Sequence, residues 1–482
     1  MTIQVAIIIG LVLYILLMSG VAFFFMIRVK KPADYLVAGR SLPSFILTGS
    51  VIATCIGTGV VIGSSGIAYQ HGWAGSVYPI GLGFGTLLAG VMFAVMRRHK
   101  FMTLAEEISC YYANNRIVVE FSNIGLFLSQ LCWLTVQIMG GTAVLGAVTE
   151  MPRELCLVIS GLVTALISIP GGLKTIIYTD FLQAGILLTG FGLLFYMALS
   201  HAGGFGGFSD FIPPERLSFL GMESYGAWKA YGLMIALTLS VIADPGRRLT
   251  MFTARSAKGA KAALVIAGIV VMAFSVVVSV VGMYAFMKNP NLPAADQAIP
   301  WLVMNAVPTW LAALLVVSLA ATVFSSATTN AAAVGTFFIR HIYPLFTGRF
   351  AKHPLRTVRR ALVVSYIVAL LIGFYTSDIV NFIAKFLPVT MSGLAIIILV
   401  GRYWKRATWQ GALAALIVTP AVSLGIMFLP VQDSFWSTPV IPASIAGLIA
   451  HFAVSLATPR SERSFEEIVQ EMHKTREAIE DK

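Results

Sequence analysis

Thr322, Ser325, Ser326 and Thr329 recur at i, i+3, i+4 and i+7, so on a helix their hydroxyls share one face. A second source of oxygen lies far upstream, between Ser50 and Gly66 (S-V-I-A-T-C-I-G-T-G-V-V-I-G-S-S-G). Its centre, Thr54, Cys55, Gly57, Thr58 and Gly59, holds a helix poorly. A helix that loosens inside an apolar run frees backbone carbonyls, which must then face protein, water or an ion. Hydroxyls and free carbonyls together suit a hard cation, and their low net charge suits a monovalent one. Each feature also has a plainer reading. A Ser/Thr stripe glues helices together, and glycines let a neighbouring helix approach closely.

Charged groups within apolar windows are few. Asp180 is the clearest, with Asp244 near the end of its own window. An acid at the bilayer centre costs about 2.5–3.5 kcal/mol on insertion scales, so it points to function. The alternative for Asp180 is a carboxylate capping a helix end, with Lys174 close in sequence. Lys385 either snorkels to an interface or faces a cavity and pairs with an anionic solute. Enzymatic readings fare badly. Gly57-Thr58-Gly59 lacks the βαβ context of a dinucleotide fingerprint. The seven histidines are scattered, and the four cysteines (Cys55, Cys110, Cys132 and Cys156) show no CxxC spacing. No zinc site or disulfide is expected.

The elements that must position these groups are membrane spans. With 58% apolar and 11% charged residues, the chain reads as an all-α polytopic membrane protein. Apolar windows separated by charged or Pro/Gly-rich breaks give about thirteen spans. They start near Ile3, Phe45, Ser76, Ile117, Leu155, Thr175, Tyr225, Ala262, Thr309, Ala361, Ile379, Gln410 and Val440. Alternate connections carry the cations: Arg28, Lys30, Lys31 and Arg40; Arg97, Arg98 and Lys100; Arg247, Arg248, Arg255, Lys258 and Lys261; Arg356, Arg359 and Arg360; Arg402, Lys405 and Arg406. That alternation makes their side cytoplasmic, with the N-terminus outside and the C-terminus inside. It also explains the net charge of +12 without any nucleic acid.

If the first span is peripheral, the next ten divide into two inverted sets of five, each led by an interrupted span. The second interruption is Asp244-Pro245-Gly246, in a span that also carries Thr238 and Ser240. The expected organisation is an extra helix and first cytoplasmic loop over 1–42 and a first repeat over 43–200. An extracellular loop and second repeat follow over 201–402, then flanking helices over 403–458 and a cytoplasmic tail over 459–482. One amphipathic helix is expected in the tail, with Phe465, Ile468, Val469 and Met472 on one face.

Four stretches resemble the sodium:solute symporter family. Asp34 to Leu42 (D-Y-L-V-A-G-R-S-L) is similar to its inner loop before the first core helix. Gly171 to Gln183 (G-G-L-K-T-I-I-Y-T-D-F-L-Q) is similar to its fifth-core-helix signature. Thr322 to Tyr343 has the spacing of the eighth core helix, and Tyr403-Trp404-Lys405 that of the exit from the tenth. The resemblance implies a leucine-transporter-like fold of two inverted five-helix repeats with flanking helices. Carried over by position, it implies a main sodium site from carbonyls of Ala53, Ile56 and Thr322 and hydroxyls of Ser325 and Ser326. Thr322 departs from the family's usual small apolar residue, which a carbonyl ligand tolerates. A second sodium, found in some members, would use Asp180, Ser325, Thr328 and Thr329.

The same resemblance narrows the solute. Sugar carriers of the family place glutamine at the position of Val60 and an acid near Pro79, and proline carriers place an aspartate at that of Cys55. Sialic-acid carriers use an arginine in the third core helix, where Gln130, Thr135 and Gln137 stand here. The expected solute-lining set is Cys55, Thr58, Gln137, Ser240 and Lys385. The resulting reading is a sodium-coupled symporter of a small organic solute, multi-pass in the plasma (inner) membrane, monomeric as a functional unit and working by alternating access. A proton-coupled carrier using Asp180 is the runner-up. A receptor that reports solute without moving it is disfavoured by the short tail, which leaves no output domain.

Overall fold

The computed structural model describes residues 3–28, 42–149, 151–169, 173–349, 351–376, 378–429, 434–460 and 463–480. Their regular structure is helical, apart from one isolated bridge between Leu42 and Ala254, with turns and short irregular stretches between the helices. Lys30, Lys31, Arg40 and most of the Asp34 to Leu42 segment lie outside them, as do Gly171 and Gly172.

The helices begin close to the expected span starts. They are α1 (Ile3–Arg28), α2 (Ser44–Cys55), α3 (Ser64–His71), α4 (Val77–Phe93), α5 (Leu104–Tyr111), α6 (Arg116–Thr149), α7 (Arg153–Ser168) and α8 (Leu173–Ala202). The chain continues with α9 (Ala227–Ile242), α10 (Pro245–Phe252), α11 (Ala257–Lys288), α12 (Ala298–Asn305) and α13 (Thr309–Phe337). It closes with α14 (Pro354–Phe374), α15 (Ile379–Thr390), α16 (Ser392–Tyr403), α17 (Trp409–Met427), α18 (Val440–Ala457) and α19 (Phe465–Glu480). Local chemistry sets many of the starts. Pro43, Pro152 and Pro308 stand at N-caps, and Ser256, Asp378 and Thr408 each accept a first-turn N–H through their side chains. Among the described residues, eight helical stretches are long and apolar enough to cross a membrane, or ten if each of two bent pairs is one span. One of the eight, Gly59–His99, leaves helical geometry at Gly72, where φ is 58° and ψ −121°.

Both interruptions expected from the sequence are present. The chain stops being helical after Cys55, where Ile56 has ψ 56°, and resumes as a π-turn over Gly59–Gly63 that leads into α3. α9 and α10 meet at Asp244 with a bend of 43°. A further bend of 44° separates α15 from α16, just after Pro388. α1 lies at the periphery, its outer face Val12, Leu13, Leu16 and Leu17 exposed. It leans on the core through Tyr14, whose ring stacks on Phe324 and whose hydroxyl accepts from Gln183 Nε2 at 2.6 Å.

One feature of the basic face differs from the sequence reading, and another matches it. Arg247 and Arg248, assigned to a charged connection, are buried instead. The helix restarts at Pro245, so both side chains point back among α2, α4 and α5 rather than into solvent. Arg248 covers the Phe93 ring at 3.8 Å and lies 3.8 Å from Glu107 on α5. The tail helix α19 forms as expected, with Ile468 and Val469 buried. Its Phe465 stacks on Tyr111 of α5, with ring centroids 5.6 Å apart.

Candidate functional site

The break after Cys55 packs directly on the hydroxyl stripe of α13. Ser325 Oγ donates to the Ala53 carbonyl at 3.1 Å and lies 3.3 Å from the Thr322 carbonyl oxygen. Ser326 Oγ donates to the Thr54 carbonyl at 3.2 Å. A terminating helix leaves its last carbonyls without N–H partners, and here hydroxyls from a second helix reach them. Three of the oxygens expected at a main sodium site, from Ala53, Thr322 and Ser325, therefore converge. Ile56 carries the non-helical ψ that turns the chain at the break. Close packing and the break prove compatible: a Cβ on Gly57 would stand 2.5 Å from Ser326 Oγ. The glycine allows the approach that the hydroxyl contacts need.

Asp180 lies two turns into α8, fully buried, so it is not a helix cap. Its Oδ2 accepts from Ser50 Oγ at 2.9 Å and from Thr329 Oγ1 at 3.4 Å. Its Oδ1 is buried with no hydrogen-bond partner among the described residues. A buried carboxylate oxygen left without a donor is costly, and a cation or a proton removes that cost. Thr329 thus joins Asp180, whereas Thr328 Oγ1 donates along its own helix, to Phe324 O at 2.9 Å and Ser325 O at 3.0 Å. Ser50 is a member that sequence reasoning missed. Its signal was its place one helical turn before Ala53 and Thr54, facing the same side.

The expected solute residues divide between two levels. Lys385 lines a cavity of about 950 Å³. This cavity lies on the side of the break away from the basic connections, between the π-turn and α3, the start of α9, the Ala294–Gln297 turn and α15. Arg153 and Lys229 share its wall with Asp296 and Asp378. Burial raises the Asp296 carboxyl above the usual range, and the negative charge of Asp378 adds to that. Cys55, Thr58, Gln137 and Ser240 are buried below this cavity and do not line it. Thr58 Oγ1 donates to Gln137 Oε1 at 2.8 Å, which joins the break to α6. Ser240 Oγ turns inward to Leu237 O at 2.7 Å.

Beneath them stands Arg247, which the sequence reading had placed in a connection. Its Nη1 donates to Cys55 Sγ at 2.8 Å and its Nε lies 3.2 Å from Asp244 Oδ2. Asp244 Oδ1 in turn accepts from Gly246 N at 2.8 Å and from Gln130 Nε2 at 3.3 Å. One buried guanidinium therefore ties the first interruption to the second. The arrangement has a cavity on one side of the two breaks and a polar lock on the other, with oxygens gathered between. Chemically it can hold a small cation against α13 while a solute approaches from the open side.

Comparison with known proteins agrees with this geometry. The model of the sodium:solute symporter family matches residues 35–419. A sodium/pantothenate symporter of Haemophilus influenzae is 22% identical, over 93% of this chain and 95% of its own. A sodium/glucose cotransporter of Vibrio parahaemolyticus is 25% identical, over 84% of this chain and 81% of its own. In fold, the chain resembles a sodium-coupled sialic acid symporter solved in a substrate-bound outward-open state, with TM-score 0.79, 18% identity and coverage of 96% of this chain and 99% of that one. A nucleobase–cation symport transporter in a closed conformation follows at TM-score 0.60 and 14% identity, covering 92% of this chain and 99% of that one. A broken span laid against a hydroxyl-bearing helix, in a chain matched over most of its length, leads to one assignment: the protein belongs to the sodium:solute symporter family.

Proposed function

We propose that the protein couples the entry of sodium to that of a small organic anion, with the driving ion held between the α2 break and α13. The observation that carries this reading is the meeting of Ser325 Oγ with the carbonyls of Ala53 and Thr322, across two elements far apart in sequence. The Ser325 and Ser326 hydroxyls donate to carbonyls of the break. On binding, each hydroxyl turns its lone pair inward, so carbonyl and hydroxyl oxygens face the ion together. Ile56 O and Ser326 Oγ would complete the shell. A cation so placed bridges the broken span to α13 and stabilises the form in which they are packed together.

The anionic character of the solute rests on Lys385, which lines the cavity together with Lys229 and Arg153. Pantothenate, named for one relative, is a carboxylate and fits that lining better than glucose does. Uptake into proteoliposomes tests the reading, using pantothenate and other short carboxylates against glucose and myo-inositol, with and without an inward sodium gradient. Sodium-driven uptake of a carboxylate is expected. Lys385→Gln should raise its KM roughly tenfold, the size of one partly screened charge contact. Sodium-driven uptake of neutral solutes alone would overturn the anionic assignment.

A second reading has its own observation, the unpartnered Oδ1 of Asp180. Either a second sodium or a proton would satisfy that oxygen. Imposing a proton gradient without sodium in the same vesicles separates the two.

A further inference from the structure

The basic face carries a second cavity, of about 320 Å³, walled by Arg97, Arg98, Arg255, Ser256, Ala257 and Lys258. Among the described residues, its wall carries four cations and no acid. Two elements build it: the turn Ala94–His99 that ends α4, and the approach to α11. These helices are held at fixed spacing by backbone contact. A Cβ on Gly83 would stand 2.6 Å from the Gly268 carbonyl oxygen, and one on Gly268 the same distance from that of Gly83. Arg97 Nε donates to the Ala254 carbonyl at 2.6 Å, which orients its guanidinium within the wall.

The same two helices say what kind of anion this is. Phe84 and Val91 on α4, and Ile266 and Ile269 on α11, are each about half exposed. They stand on the lengths of the two helices that lead to the cationic pocket, Val91 six residues before Arg97 and Ile266 eight residues after Lys258. A cationic cup at the end of an apolar track has the chemistry of an amphiphile with a negative head. We propose that the pocket binds the phosphodiester headgroup of an anionic phospholipid, whose acyl chains lie along Val91 and Ile266. Basic pockets between spanning helices at a membrane surface recognise such headgroups by charge and hydrogen bonding. Free inorganic phosphate shares the oxyanion chemistry but makes no use of the apolar track. The site is independent of the transport reading and stands or falls without it.

Native mass spectrometry of the full-length protein tests it, after incubation with phosphatidylglycerol, with phosphatidylcholine, or with phosphatidylglycerol plus excess inorganic phosphate. Phosphatidylglycerol should be retained in preference to phosphatidylcholine and should resist displacement by phosphate. The double variant Arg98→Gln/Lys258→Gln should reduce retention roughly tenfold or more, since each surface cation contributes a few-fold to binding of an anionic head. Arg359→Gln/Arg360→Gln, in a different basic connection, should leave retention unchanged. Arg98→Lys/Lys258→Arg keeps both charges and should restore retention, which guards against a merely misfolded variant. Equal loss in the control pair would overturn the site in favour of diffuse charge. Displacement by phosphate would replace the lipid with a free anion, and absence of any headgroup preference would remove the site altogether.

Discussion

Ser325 and Ser326 are the residues on which the transport reading turns. Each offers one hydroxyl to the carbonyls of the α2 break. Ser325→Ala and Ser326→Ala should each raise half-saturating sodium about tenfold or more while leaving expression near normal, because alanine is at ease in a helix. Sodium-activation curves of uptake provide the check, and unchanged curves in both variants would remove the site from this place. Asp180→Asn keeps the shape and most hydrogen bonds but removes the charge. If Asp180 serves a second ion, the Hill coefficient for sodium should fall towards one while sodium still activates. If it carries a proton, the variant should lose proton-driven accumulation instead. The Ser325/Ser326 pair was legible in sequence because hydroxyls at helical spacing announce a face. Ser50 was not, since a single serine in an apolar span looks like ordinary helix glue, and only the fold brings it within 2.9 Å of Asp180. Arg247 was misread for a related reason. It adjoins Arg248 and precedes Arg255, Lys258 and Lys261, so the run looked like one solvated connection until the bend at Asp244 turned its first two members inward.

At the scale of elements, α10 is held to both neighbouring elements by buried guanidinium groups. Arg247 pins it to the α2 break through Cys55 Sγ, and Arg248 pins it to α5 near Glu107. Arg247→Gln should loosen the first pin without leaving Asp244 facing a hydrophobic gap. In a background with Cys110, Cys132 and Cys156 changed to serine, a permeant maleimide should then label Cys55 about tenfold faster than in the parent, as a buried thiol becomes intermittently reachable. Equal rates would mean that Arg247 closes nothing. The second pin predicts a pH dependence. Burial raises the Glu107 carboxyl above its ordinary range, and the Arg248 guanidinium offsets only part of this. A raised value in the folded state means that the fold favours the protonated form. The stabilisation is therefore complete below the ordinary carboxylate range and is lost as pH rises through the raised value. Thermal unfolding in detergent should show wild type losing stability over that rise, with Glu107→Gln, which mimics the protonated form, flattening the loss. Parallel pH profiles for the two proteins would contradict the assignment.

For the whole molecule, hydropathy was enough to place the starts of most of the long helices, because lipid forces the backbone into long helices and loops into water. The short helices α3, α5, α10, α12 and α16 were not foreseen. Hydropathy could not say how the two interruptions meet, since that depends on contacts between residues far apart along the chain. The isolated bridge is such a contact. Leu42 N donates to Thr253 O at 3.3 Å and Arg255 N to Leu42 O at 3.2 Å, with Arg97 holding the adjacent Ala254 carbonyl. The lower arms of both interrupted helices are thereby yoked at their tips, as two levers joined by a crossbar. A push on one arm is delivered to the other, so neither can swing outward alone without first uncoupling the bar. Opening towards the basic face should then be a single concerted stroke, with a half-open form rare among the states that the protein visits.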